Sequence, residues 1–292
     1  MPEYAIIQSI LNGILLGGLY AIVGIGMSMV FGIMGLTNLA HGDMIILSTF
    51  LCIFFVTQLI PNIFLALIIT ILIMMALGFL IQNFLVNRVL DKGGEPALLV
   101  TFGVSIFIQN VLLMIFGADA QVVHTQLAAI NIITTKFFSV SALYLFNFIV
   151  ALLVIGVLHC IVYYTYFGRS IRATSDNVVA AELMGVSTKR IYSYTMCLAM
   201  VSAAIAGLLI GMTFISYPST GTQYLIIAFG VVVIGGMGSL IGTLLGGIIL
   251  GLAQLLGAYF FGAGYQALTG YIVLLIILTV RPQGLLGTAI RK

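Results

Sequence analysis

Charge is what this sequence has least of. Only 6% of its 292 residues are Asp, Glu, Lys or Arg, while 62% are hydrophobic. Ordinary soluble domains carry about 25% charged residues, so a water-soluble globule is excluded and a polytopic membrane protein is indicated. Uncharged runs extend over residues 4–42, 44–87, 96–118, 137–168 and 191–280. A helical span needs about 20 apolar residues, so the runs hold in turn one to two, two, one, one and three to four spans. The runs are also far longer than the ~10-residue alternating strands of an outer-membrane barrel. The expected fold is therefore all-α: a single membrane-spanning bundle over residues 1–292 with about 8–9 transmembrane helices.

Other absences narrow the function. Cys52, Cys160 and Cys197 stand singly, without a CxxC pair or a nearby His, so neither a disulfide framework nor a metal site is indicated. His41, His124 and His159 are far apart, no span holds paired carboxylates, and no Gly-rich phosphate loop ends in Lys-Ser/Thr. These gaps argue against an enzyme and against a bound cofactor, and nothing points to nucleic acid. The spans read as free of Asp, Glu, Lys and Arg, which argues against an ion- or proton-coupled carrier, whose relay needs titratable groups at depth. Energy for transport would then come from elsewhere. The opening MPEYAIIQ has no basic region and no small-residue cleavage pattern, so the first apolar run reads as a retained span.

What is present is one polar island, GRSIRATSDNVVAAELMGVSTKR, residues 168–190. Its charges cannot sit in hydrocarbon, where each costs roughly 2.5–3.5 kcal/mol. The island is thus an aqueous loop. Ser175 or Asp176 can cap a short helix over 176–184, Val179, Ala180, Leu183 and Met184 give it an apolar edge, and Gly185 can supply the left-handed residue that ends it. Arg172, Asp176, Glu182, Lys189 and Arg190 flank that edge. Such a helix either lies on lipid headgroups or docks into the groove of another protein.

Three further stretches matter. FGIMGLTNLAHGD, residues 31–43, overruns the first span and is too short for a second, so it is expected to enter the membrane as a broken or re-entrant segment, or else to form an interfacial loop with Asp43 at the headgroups. Asn38 and His41 there, with Tyr20 opposite on the first span, are the candidate polar groups of a translocation path; the alternative is that Asn38 only satisfies backbone at the break. GGMGSLIG, residues 235–242, reads as a turn between two spans or a close backbone crossing, and FGIMG at 31–35 recurs loosely as IGGMG at 234–238. Nine of the ten Lys and Arg fall in 88–92, 169–190 and the tail with Arg281, Arg291 and Lys292. Those segments should share the cytoplasmic side, leaving the N-terminus periplasmic.

The strings GLYAIVGIGMSMVFGIMGLTNLAHGD, GRSIRATSDNVVAAELMGVSTKRIY, VVVIGGMGSLIGTLLGG and VRPQGLLG resemble the permease subunits of bacterial branched-chain amino acid ABC importers, in particular the smaller of the two permeases. The resemblance covers nearly the whole chain. It implies an inner-membrane assembly with a second related permease, two cytoplasmic ATPases and a periplasmic substrate-binding protein, with the loop at 168–191 as the ATPase coupling element. Within it, Arg172, Asp176, Val179, Ala180, Glu182, Leu183, Met184 and Gly185 are the expected contact and shaping residues. Related permeases import urea and short amides, so that reading stays open beside branched-chain amino acids, as does an ion-coupled carrier or channel.

Overall fold

The computed structural model describes residues 2–125, 127, 130–134 and 139–287; Lys136, Arg291 and Lys292 lie outside them. Among the described residues nine helices are long and apolar enough to cross a membrane. The chain forms α1 (Pro2–Met34), α2 (His41–Phe54), α3 (Ile63–Leu80), α4 (Gly94–Phe116), α5 (Ala142–Tyr164), α6 (Tyr166–Asp176), α7 (Val178–Leu183), α8 (Thr188–Thr213), α9 (Gly221–Gly235), α10 (Leu240–Phe261) and α11 (Gln266–Val280). All but α6 and α7 belong to spans. Strands β1 (Asn131–Thr134) and β2 (Ser139–Ser141) pair antiparallel in the α4–α5 connection.

Local chemistry sets several of these boundaries. After Pro61 the Asn62 side chain accepts from the amides of Phe64 and Leu65 at 3.0 and 3.4 Å and starts α3. Ser239 does the same for α10 through the Gly242 amide at 3.0 Å. Each cap satisfies backbone donors that a helix start would otherwise leave unpaired. Residues 236–239 are the expected turn, and it is also a close crossing, because the backbones of Gly235 and Gly242 meet.

The packing repeats itself with exchanged roles. α1 lies along α10 as α8 lies along α3, and α2 rests on α8 as α9 rests on α1. Because α1 and α8 are the first and sixth spans, the two units run in opposite directions, the arrangement of an inverted repeat. The strings at 31–35 and 234–238 are not equivalent positions in it, since one ends α1 and the other ends α9. They meet in space instead: a β-carbon on Gly32 would stand 2.7 Å from the α-carbon of Gly238.

Each unit is broken at its first turn. α1 runs four residues beyond Val30 to Met34, and residues 35–40 then fold back so that His41 donates from Nε2 to the Val23 carbonyl at 3.0 Å. Val23 lies about three helical turns before the end of α1, so α2 starts at depth rather than at a surface. The second break, between α8 and α9, is pinned by paired backbone bonds between Gln121 and Ser216 at 3.0 and 2.9 Å. The two breaks touch, and a β-carbon on Gly42 would sit 2.6 Å from the Leu225 amide nitrogen.

All described Lys and Arg gather at one end of the bundle. Asn87, beside Arg88, donates to the Lys189 carbonyl at 3.2 Å. Ser175 of α6 donates to the Gly32 carbonyl at 2.6 Å, and the segment after Arg281 is tied to α9 by Leu285 to Ile234 and Leu286 to Gly235, at 2.9 and 3.0 Å. Gln8 and the β-hairpin lie at the other end, joined through Ser139 at 2.7 and 2.8 Å.

Candidate functional site

Tyr20 lines a cavity of about 630 Å³ bounded by α1, α10, α11 and the α8–α9 break. Its hydroxyl donates to Oε1 of Gln254 on α10 at 2.6 Å. The two side chains are 5% and 4% exposed, so a polar pair sits at the cavity wall deep between helices. Gln223, Tyr224, Gln266 and Tyr271 also line the space, which has amides and phenols but no charged side chain. Beside the pair, α1 and α10 touch backbone to backbone, with Gly247 against Ala21 and Gly251 against Gly17.

Asn38 and His41 are not brought to this cavity. Asn38 accepts from the Ala40 amide at 3.1 Å, its backbone carbonyl accepts from His41 at 3.1 Å, and its Nδ2 faces the sulfurs of Met44 and Met196. The space beside it is only about 10 Å³, room for one water at most and not for an amino acid. Because a carbonyl only accepts, His41 carries its proton on Nε2 for Val23, and its Nδ1 has no partner among the described residues. These two residues hold the break together; they do not face Tyr20 across an open space.

The break also corrects the reading of Asp43 as a headgroup residue and of the spans as free of acids. Asp43 is 2% exposed, one Oδ accepts from Ser105 of α4 at 2.6 Å, and the carboxyl fills the place a side chain on Gly221 would take. Sequence reasoning placed it at a boundary because it interrupts an apolar run. Only the fold-back of 35–40 carries it inward.

The polar island forms two helices. α6 was not foreseen: Thr165 caps it by accepting from the Gly168 amide at 3.0 Å, and Arg172 turns back to the Val162 carbonyl and over the Tyr163 ring. Asp176 ends α6 and does not start the next helix. The cap of α7 is Asn177, accepting from the Ala180 amide at 3.0 Å, in place of Ser175 or Asp176. Asn177 wins because its backbone is extended, which lets the side chain reach forward to the first turn. α7 is only 6 residues long. It closes with the paired bonds Val186 to Ala181 and Gly185 to Glu182, at 3.0 and 2.9 Å, and Gly185 takes φ +85°. That is the glycine-terminated ending in which a left-handed residue satisfies the last carbonyls.

The apolar edge of α7 is bare. Val179, Leu183 and Met184 are 66%, 83% and 84% exposed, while Ala181 is buried toward the bundle. Glu182 accepts from the Thr188 hydroxyl at 2.5 Å, which ties α7 to the start of α8.

A model of the family described as "Branched-chain amino acid transport system / permease component" matches residues 9–280. The high-affinity branched-chain amino acid transport system permease protein BraD of Pseudomonas aeruginosa is 30% identical, over 98% of both chains. The corresponding protein LivH of Escherichia coli is 28% identical over 96% of this chain and 95% of its own. The ribose import permease protein RbsC of Haemophilus influenzae is 26% identical over 98% of this chain and 88% of its own. Among solved structures, PsaBC from Streptococcus pneumoniae in complex with Fab is similar over 96% of this chain and 92% of that one, with TM-score 0.46 and 16% identity. The chain belongs to the branched-chain amino acid transport permease family and is a multi-pass membrane protein.

Proposed function

We propose that this chain is a permease subunit of an ATP-driven importer that moves branched-chain amino acids across the inner membrane. The family match over residues 9–280 carries the reading, and the bare apolar edge of α7 supports its mechanical half. A helix outside the spans that exposes Leu183 and Met184 to water is a docking surface waiting for a partner. The partners in this reading are a second related permease, two cytoplasmic ATPases and a periplasmic substrate-binding protein, and ATP is hydrolysed on the ATPases rather than on this chain.

Basic residues are retained on the cytoplasmic side, so the end that gathers Arg88, Arg172, Lys189 and Arg281 is cytoplasmic, the C-terminus with it, and the N-terminus is periplasmic. α7 then faces the ATPases, and the Tyr20 cavity lies in the periplasmic half. Tyr20 keeps its assignment to the path. Asn38 and His41 are assigned to holding the break on which the path is built.

The test is at the docking edge. Assembled with all partners in proteoliposomes, Leu183→Asp with Met184→Asp should insert and pair with the second permease, since neither side chain packs in the fold, yet lose leucine-stimulated ATP hydrolysis. Full uptake by that variant would sink the coupling assignment. Glu182→Arg is a less clean probe, because it also breaks the bond to Thr188. Leucine uptake driven by an ion gradient in this chain alone would overturn the importer reading itself.

A further inference from the structure

The Tyr20–Gln254 pair leaves something over. Gln254 spends its Oε1 on the Tyr20 hydroxyl at 2.6 Å, and its amide nitrogen has no hydrogen-bond partner among the described residues, although the side chain is 4% exposed and borders the cavity of about 630 Å³. The nitrogen is not fully enclosed, so it is a donor open to an acceptor that enters the cavity. With the Tyr20 hydroxyl donating to Oε1, the nitrogen is the end turned away from the phenol. The cavity offers that nitrogen no carboxylate, since its lining is neutral throughout. Gly270 of α11 lies beside the nitrogen, where a β-carbon would stand 3.1 Å from Nε2, so α11 approaches the amide without a side chain in between.

We propose that Gln254 receives the carboxylate of the transported solute in this cavity, and that Tyr20 is the residue that positions it. The proposal rests on the transport reading above and goes beyond it by naming the group that is recognised and the atom that recognises it. An amide N–H to a carboxylate is a charge-assisted bond. A lining of neutral donors, with no fixed charge, holds a zwitterion long enough to orient it and weakly enough to release it. A fixed cation in the same place would retain it.

The experiment needs no ATP. In the assembled permease pair, with Cys160 replaced by Ser because it is exposed, Ala267→Cys places a thiol on the cavity wall. Its labelling by a membrane-impermeant maleimide is timed with leucine, with 4-methylpentanoate, which keeps the carboxylate and lacks the amine, or with isopentylamine, which keeps the amine and lacks the carboxylate. Leucine and the acid should slow labelling and the amine should not. Gln254→Leu should raise the half-protecting acid concentration about tenfold, the loss of one hydrogen bond to a charged group. Tyr20→Phe, which removes one oxygen and disturbs folding least, should narrow the acid-to-amine discrimination; a Tyr20 that only packs would leave that ratio unchanged. Equal protection by acid and amine, or unchanged protection in Gln254→Leu and Tyr20→Phe, overturns the proposal. Protection as expected in an assembly that moves no leucine would instead strike the transport reading and leave the cavity assignment standing.

Discussion

Gly247→Ala asks most of the bundle. A β-carbon there would stand 2.7 Å from the Ala21 nitrogen and 3.0 Å from its α-carbon, and closer still to the Gly17 carbonyl oxygen. All three are backbone atoms of α1, so no rotamer change can clear them and the two helices must part. Overpacking of one methyl group costs about 1–3 kcal/mol, and up to ~1 kcal/mol returns because Ala suits a helix better than Gly. With the clash against fixed backbone at the upper end of that cost, the net loss is about 2 kcal/mol, which corresponds to a melting temperature lowered by roughly 3 °C in a chain of this size. Gly103 on α4 and Gly156 on α5 are the controls, for neither has any atom within 4 Å of an added β-carbon. Gly103→Ala and Gly156→Ala should melt at or slightly above the parent. Buried Cys52 and Cys197 supply the readout, because a fluorogenic maleimide reports their exposure on heating once exposed Cys160 is replaced by Ser. A Gly247→Ala chain that melts with its controls would refute the claim that α1 and α10 meet backbone to backbone.

Two other outcomes are expected. Gly185→Ala forces a side chain onto φ +85° and should weaken the end of α7 by about 1 kcal/mol, read as faster proteolysis in 176–190 with an unchanged melting temperature, whereas Gly185→Asn should fall between. Asn38→Ala removes the acceptor for the Ala40 amide at 3.1 Å and should cost about 1–2 kcal/mol of stability, read as lower folded yield in detergent; a fully stable variant with lost transport would return Asn38 to the path.

The spans were legible because their cause is one-dimensional. An uncharged run long enough to cross hydrocarbon can do little else, so the pair either side of 236–239 and the turn at Pro61 and Asn62 follow from length and capping alone. α6 was missed for the opposite reason. GRSIRATSD is strongly polar, and what makes it a helix is a cap at Thr165, upstream of the island, together with burial of Ile171 beneath it. Neither is visible in the composition of the segment. The same upstream blindness assigned the cap of α7 to Ser175 or Asp176, when α6 had already absorbed both.

The site was less legible because its pairs are made by the inverted repeat. Tyr20 and Gln254 lie 234 positions apart, and Gln254 on its own is one amide in an apolar helix. Nothing local distinguishes it from Gln109 or Asn110. Asp43 shows the same physics in reverse: a charge beside an apolar run is normally the marker of a membrane boundary, and it failed here because residues 35–40 return three turns along α1 before α2 begins. A chain that starts helices at depth has to bring their unpaired amides with it. Asn38 satisfies one of those groups, the Ala40 amide, and Asp43, held by Ser105, packs against Gly221 where the two breaks meet. The polar residues of such a protein therefore divide into those that repair the breaks and those that the breaks leave facing a cavity. What they border separates the two classes: Asn38 spends its oxygen on its own backbone beside a space of about 10 Å³, while Gln254 stands at the wall of a cavity of about 630 Å³.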